Sequence, residues 1–145
     1  GTSNLYGLVG GEANKIAPGK RMLSSMSPTI VLNHGRPVMV LGSPGGSKII
    51  TAVAQAIIDF DRFGLTPNEI IQTPRFHHQW KPDLITLEKD VPQFSSDTRQ
   101  TLERMGHTLT DKYPSTDIHM IRIIGPSGLM CPVADWRRGG KAGGY

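Results

Sequence analysis

Apolar residues recur at Ile49, Ile50, Val53, Ala54, Ile57, Ile58 and Phe60, while the polar Thr51, Gln55 and Asp59 return at every fourth position between them. That spacing predicts a helix over residues 47 to about 63, with a polar stripe one side chain wide. So narrow a stripe implies burial around most of the girth, between a sheet and a further layer. Gly64 ends it, as a residue free to turn left-handed does. Thr66-Pro67-Asn68-Glu69 then reads as the start of a short second helix. Thr66 is the N-cap, Pro67 the first helical residue, and Glu69 stands where a capping box needs it. Residues 96–105 read as a third helix stopped by Gly106.

Strand patterns surround these helices. Residues 29–32 and 36–42 are apolar runs joined by Asn33-His34-Gly35, which predicts an antiparallel hairpin with a three-residue, solvent-facing turn. Residues 84–88, 107–112 and 117–124 are strand-like. The last of these is apolar on both faces, as suits a central strand covered from each side. Gly125-Pro126-Ser127-Gly128 turns the chain into a final strand over 129–134. The first twenty residues, rich in glycine and without periodicity, read as an ordered loop. Helices beside hairpin-linked strands predict an α+β domain layered around a mostly antiparallel sheet.

Composition narrows the class. A chain of 145 residues forms about one domain, and no apolar run is long enough to span a membrane. The formal charge of +4 comes from scattered basic residues, clustered only at Arg137, Arg138 and Lys141. Without a basic stripe interleaved with aromatics this reads as a solvated face, with no nucleic-acid partner. Cys131 is the sole cysteine, so no internal disulfide forms, and its apolar run predicts a buried, inert thiol. Cysteine use leaves the compartment undecided.

Candidate chemistry concentrates in two segments, LSSMSPT at 23–29 and GSPGGSKII at 42–50. Gly45 and Gly46 fall where a strand turns into a helix, and the first N–H groups of a helix lack intrahelical acceptors. Glycine lets a negative atom approach them, either a bound anion or the oxyanion of acyl transfer. The same turn also serves as a packing device. Ser24 and Ser25 bring two adjacent hydroxyls to a strand entrance, suited to gripping a carboxylate, although such pairs also occur in plain solvated loops. The order Gly46-Ser47-Lys48-Ile49 departs from the nucleotide P-loop, which needs lysine directly after its last glycine. His77, His78 and Asp83 lie close in sequence, but adjacent strand side chains point apart and a third ligand at helical spacing is missing. The expectation there is a packed aromatic corner, with Arg75 paired to a carboxylate and no metal.

The strings NLYGLVGGEANKIAPGKR, LSSMSPTIV, GSPGGSKIIT and TPRFHHQW and the closing Gly143-Gly144-Tyr145 resemble, in order and over nearly the whole chain, the C-terminal part of the small subunit of a γ-glutamyltranspeptidase. The resemblance implies an αββα sandwich of the N-terminal-nucleophile hydrolase type, here residues 1–145 as a single incomplete domain lacking its first strands. It implies transfer of a γ-glutamyl group from glutathione or a similar amide to water or to an amino acid or peptide. An N-terminal threonine freed by autocatalytic cleavage is the nucleophile. By the same resemblance Ser24 and Ser25 bind the substrate α-carboxylate, and Gly45 and Gly46 form the oxyanion hole. No cofactor is implied, and the partners are a large subunit and the rest of the small subunit.

The family's Thr-Thr-His opening does not precede Asn4-Leu5-Tyr6-Gly7, so residues 1–145 alone are expected to be inactive. Relatives often carry proline within Asp135-Trp136-Arg137, which leaves that turn open. Export to the periplasm or the exterior is implied, although the sequence shows no signal peptide. Competing readings are a poly-γ-glutamate depolymerase, a cephalosporin acylase, or a non-catalytic binding or scaffold domain.

Overall fold

The structure is a computed structural model, described here for residues 2–89, 94–112 and 115–144. The strands are β1 (Thr29–Asn33), β2 (Arg36–Gly42), β3 (Phe76–His77), β4 (Ile85–Glu88), β5 (Leu109–Lys112), β6 (His119–Ile124) and β7 (Leu129–Ala134). The helices are α1 (Ile49–Arg62), α2 (Pro67–Gln72) and α3 (Ser96–Arg104).

The strands form two small sheets. An antiparallel sheet runs β1-β2-β6-β7, and a second runs β3-β4-β5. In the second, β4 and β5 are parallel because α3 carries the chain between them, a crossover that a tight hairpin cannot make. The β1–β2 turn is one residue shorter than the sequence suggested. Asn33 pairs with Arg36, leaving His34 (φ 47) and Gly35 (φ 77) as the turn. Positive φ at both central residues matches the right-handed twist of the strands. Thr66 and Glu69 form the complete capping box at the start of α2.

The core lies where α1 and α2 cover one face of the four-stranded sheet. Ile49, Ala52, Val53 and Ala56 of α1 meet Met39 and Leu41 of β2, Ile118 and Met120 at β6, and Ile70 and Ile71 of α2. Burial around most of the girth of α1 is not reached within this chain, since Ile50 and Ile58 are about half exposed. The opposite sheet face also stays open. Ile30, Val40 and Met130, pointing away from α1, are exposed, and Ile121 and Ile123 of β6 are half-buried. Cys131 is half-buried rather than buried, because β7 is an edge strand.

Arg75 finds the predicted carboxylate in Asp135, 2.5 Å away and 60 residues on. Asp135 is fully buried and also accepts from the Ile118 and Arg137 backbone N–H groups, each at 3.0 Å. Arg137 is not part of a solvated basic face: its side chain has no exposed surface. It pairs with Glu88 at 2.6 Å and Asp135 at 3.2 Å, and donates to the Ile71 and Thr73 carbonyls. Two buried cations thus face two buried carboxylates, the condition under which buried charge is tolerated. The Asp135-Trp136-Arg137 turn, left open above, is a 3₁₀ turn over Trp136–Arg138 capped by the Asp135 side chain.

Candidate functional site

The glycine turn is set by what presses against it. Gly45 has φ 141, and a Cβ there would lie 2.8 Å from the Thr116 methyl. Gly46 has φ 59, and a Cβ there would run into the Tyr6 ring. Both backbone shapes are ones that L side chains rarely adopt, so glycine is demanded by conformation and by space. The 3₁₀ turn Gly46–Lys48 leads straight into α1, and among the described residues no acceptor is found for the Gly45 or Gly46 N–H. Free donors at a helix entrance are what an anion or an oxyanion needs.

Ser25 comes to this turn from 21 residues away and donates its hydroxyl to the Gly46 carbonyl at 2.8 Å. Its neighbour Ser24 is exposed, with Oγ accepting from the Met26 N–H at 3.2 Å. The two segments picked out in the sequence therefore do meet. In this arrangement, however, the Ser25 proton is committed to Gly46, and gripping a carboxylate requires it to swing away from that carbonyl.

Sequence reasoning missed the residue that knits the corner together, Gln79. Its amide nitrogen donates to the Tyr6 carbonyl at 2.9 Å and the Lys81 carbonyl at 3.0 Å, which turns its oxygen towards Ser47 Oγ and His77 Nε2, both at 2.8 Å. Because that oxygen only accepts, His77 carries its proton on Nε2, and its Nδ1 accepts from Thr51 Oγ1 at 2.8 Å. His77 and Gln79 thus tie the Tyr6 loop to the helix entrance. The only sequence signal was their place in the TPRFHHQW string.

His78 faces away and pairs with Asp83 at 3.0 Å. The aromatic corner is only partly packed: Phe76 meets Phe94 edge-on at 6.0 Å, but Trp80 is 71% exposed. Trp80 takes a positive φ of 68, which carries its ring into solvent under Lys81.

Burial, together with the Lys48 charge, holds His77 below the ordinary imidazole range despite the Gln79 bond. A folded-state value below the unfolded one means the fold favours neutral His77. Its stabilising contribution is present above about pH 6.5 and is lost as pH falls towards the folded value. Acidification through this window is expected to lower the exchange protection factors of the Lys48 and Lys81 amides, which donate to the Gly45 and Gln79 carbonyls, and His77→Gln is expected to flatten that response.

The family model for gamma-glutamyltranspeptidase matches residues 1–145. The glutathione hydrolase proenzyme of Escherichia coli is 46% identical over 137 residues, covering 94% of this chain and 23% of that protein. That of Pseudomonas sp. is 44% identical over 127 residues, covering 88% and 22%. The chain therefore spans about a quarter of the length of these relatives. Among solved structures, the Pseudomonas nitroreducens gamma-glutamyltranspeptidase complexed with L-DON has a TM-score of 0.90 and 38% identity, covering 100% of this chain and 75% of that one. The Helicobacter pylori T380A variant has a TM-score of 0.89 and 41% identity, covering 95% and 74%. The fold is accordingly the N-terminal-nucleophile hydrolase fold of those structures. A match along every residue, with the backbone superposing on solved members, makes this chain a member of the gamma-glutamyltranspeptidase family.

Proposed function

We propose that this chain is the C-terminal part of the small subunit of an enzyme that cleaves glutathione and other γ-glutamyl amides. The enzyme passes the γ-glutamyl group to water or to an amino acid or peptide. The observation that carries the reading is the pair of free N–H groups at Gly45 and Gly46 with Ser25 bonded to that turn, in a chain matched to the family throughout. The nucleophilic threonine comes from a part of the protein outside these residues, released by autocatalytic cleavage of a precursor.

Its hydroxyl attacks the γ-carbonyl carbon and gives its proton to the threonine's own amine. The carbonyl oxygen becomes an oxyanion held by the Gly45 and Gly46 N–H groups. The C–N bond breaks, the leaving amine takes the proton, and an ester remains for water or an acceptor amine to resolve. Ser24 and Ser25 hold the α-carboxylate and so set which carbonyl reaches the turn. The intact serine pair favours a γ-glutamyl substrate over that of a cephalosporin acylase. The rest of the small subunit pairs beside the strands at Thr29 to Gly42, where Ile30 and Val40 are exposed. The large subunit covers the other helical layer, and the working compartment is the periplasm or the exterior.

Hydrogen bonds to a charged group contribute about 1.5 to 3 kcal/mol each. In the full-length processed protein, Ser24→Ala with Ser25→Ala is expected to raise KM for a γ-glutamyl anilide by about a hundredfold or more. A donor lacking the α-carboxylate should lose much less. Equal losses for both donors would remove the serines from the site.

A further inference from the structure

Ser47 extends the polar stripe of α1 by one step. It stands four residues before Thr51 and eight before Gln55, so the three side chains form one row along the helix and its 3₁₀ entrance. Each holds a successive part of the segment 76–79, running the opposite way. Gln55 donates to the Phe76 carbonyl at 2.8 Å and accepts from the Phe76 N–H at 3.1 Å. Thr51 donates to His77 Nδ1 at 2.8 Å, and Ser47 donates to Gln79 Oε1 at 2.8 Å. The Gln79 amide has no capacity left over. Its oxygen also takes the His77 Nε2 proton, and its nitrogen gives both protons to the Tyr6 and Lys81 carbonyls, so only one orientation satisfies all four bonds. The row therefore fixes the register of residues 76–79 against α1, and its last bond lands on the residue that follows Gly46.

We propose that Gln79 is a positioning residue for the oxyanion turn, acting through Ser47, and that Thr51 and Gln55 hold the segment that delivers it. The inference rests on the oxyanion reading above. An oxyanion hole works because its donors are already aimed before charge develops. Gly45 and Gly46 have no side chains with which to anchor themselves, and glycine backbone is the freest to move. The turn is instead tied from outside on two flanks: Ser25 holds the Gly46 carbonyl at 2.8 Å, and Gln79 holds Ser47. Loss of the Gln79 tie leaves the N–H groups in place but lets their aim drift.

The test is a double-mutant cycle in the full-length processed protein with a γ-glutamyl anilide. Ser47→Ala and Gln79→Met are each expected to lower kcat by about ten- to a hundredfold, the cost of misplacing a reacting geometry by about an ångström. KM should change little, because the turn acts on charge that develops in the transition state. The double variant is expected to lose no more than the larger single loss, since both changes break the same bond. Wild-type kcat in the folded single variants, the result of a role in stability alone, overturns the proposal, and so do losses that multiply in the double variant. If Gln79→Met fails to fold, Ser47→Ala, which deletes one hydroxyl at a half-buried position, carries the test, and a normal kcat there overturns it. If the wild type turns over no γ-glutamyl donor, the parent reading fails instead, and hydrogen exchange decides the tie alone. The Lys48 amide donates to the Gly45 carbonyl at 3.2 Å and reports on the turn. Faster exchange of that amide in the variants supports the tie, and unchanged exchange rejects it.

Discussion

Replacing the peptide N–H of Gly46 by an ester oxygen in the full-length processed protein is expected to lower kcat by about a hundred- to a thousandfold, the usual cost of one oxyanion donor. The ester keeps the left-handed backbone freedom that φ 59 demands and adds no atom towards Tyr6, so the loss reports the hydrogen-bond donor and not the packing. Gly46→Ala lacks that clarity. It keeps the N–H but forces a Cβ into the Tyr6 ring, and is expected to displace the Tyr6 loop and weaken its tie to Gln79. An ester variant that folds normally and turns over γ-glutamyl anilide at the wild-type rate would take Gly46 out of the oxyanion hole. The KM of the ester variant is expected to change little, because the donor acts on charge that develops only in the transition state.

Asp135→Ala is expected to destabilise the protein by about 3 to 5 kcal/mol, the range for stranding a buried charge. The substitution leaves Arg75 and Arg137 without the carboxylate they share and leaves the Ile118 N–H without its acceptor. Urea unfolding of the full-length protein measures the loss, and a change below about 1 kcal/mol would show that the network adds nothing beyond packing. Replacing Arg75 and Asp135 together by Met and Leu is expected to recover much of it, since apolar groups of similar volume carry no stranded charge. The pH dependence has a defined sign. Burial raises the Asp135 carboxyl, but the Arg137 N–H and the Arg75 guanidinium outweigh it and hold the group below the ordinary carboxylate range. The folded value therefore lies below the unfolded one, and the contribution is complete above about pH 4 and drains as pH falls through the folded value. In Asp135→Ala that part of the acid sensitivity should disappear. The effect reaches the site, because Arg75 also donates to Thr116, whose methyl backs Gly45.

Much of this architecture was legible along the chain, and where it was not the reason is physical. The α2 capping box, the β1–β2 hairpin, the bounds of β7 and the entry of α1 at the glycine turn each depend on residues a few positions apart. Their chemistry, from the Thr66 hydroxyl to the positive φ open to glycine, acts over that distance. The narrow polar stripe of α1 correctly signalled two apolar faces but could not say which one this chain covers. Ala52 and Ala56 meet the sheet, whereas Ile50 and Ile58 remain open.

Residues 23–29 and 42–50 carried the character of the site in their hydroxyl and glycine content, since donor chemistry and backbone freedom belong to the residue itself. Only the tertiary structure decided that Ser25 would spend its proton on Gly46, that Arg137 would be buried while Arg138 lines a cavity, and that Gln79 would tie Tyr6 to Ser47. It also split the strands into two sheets. Each outcome depends on partners that are distant in sequence, 60 residues apart for Arg75 and Asp135, and a local pattern of apolar and polar positions carries no information about which distant charge or donor will be met. The periods of helix and strand are properties of neighbours, while pairing, burial of charge and the shape of a cavity are properties of the closed fold.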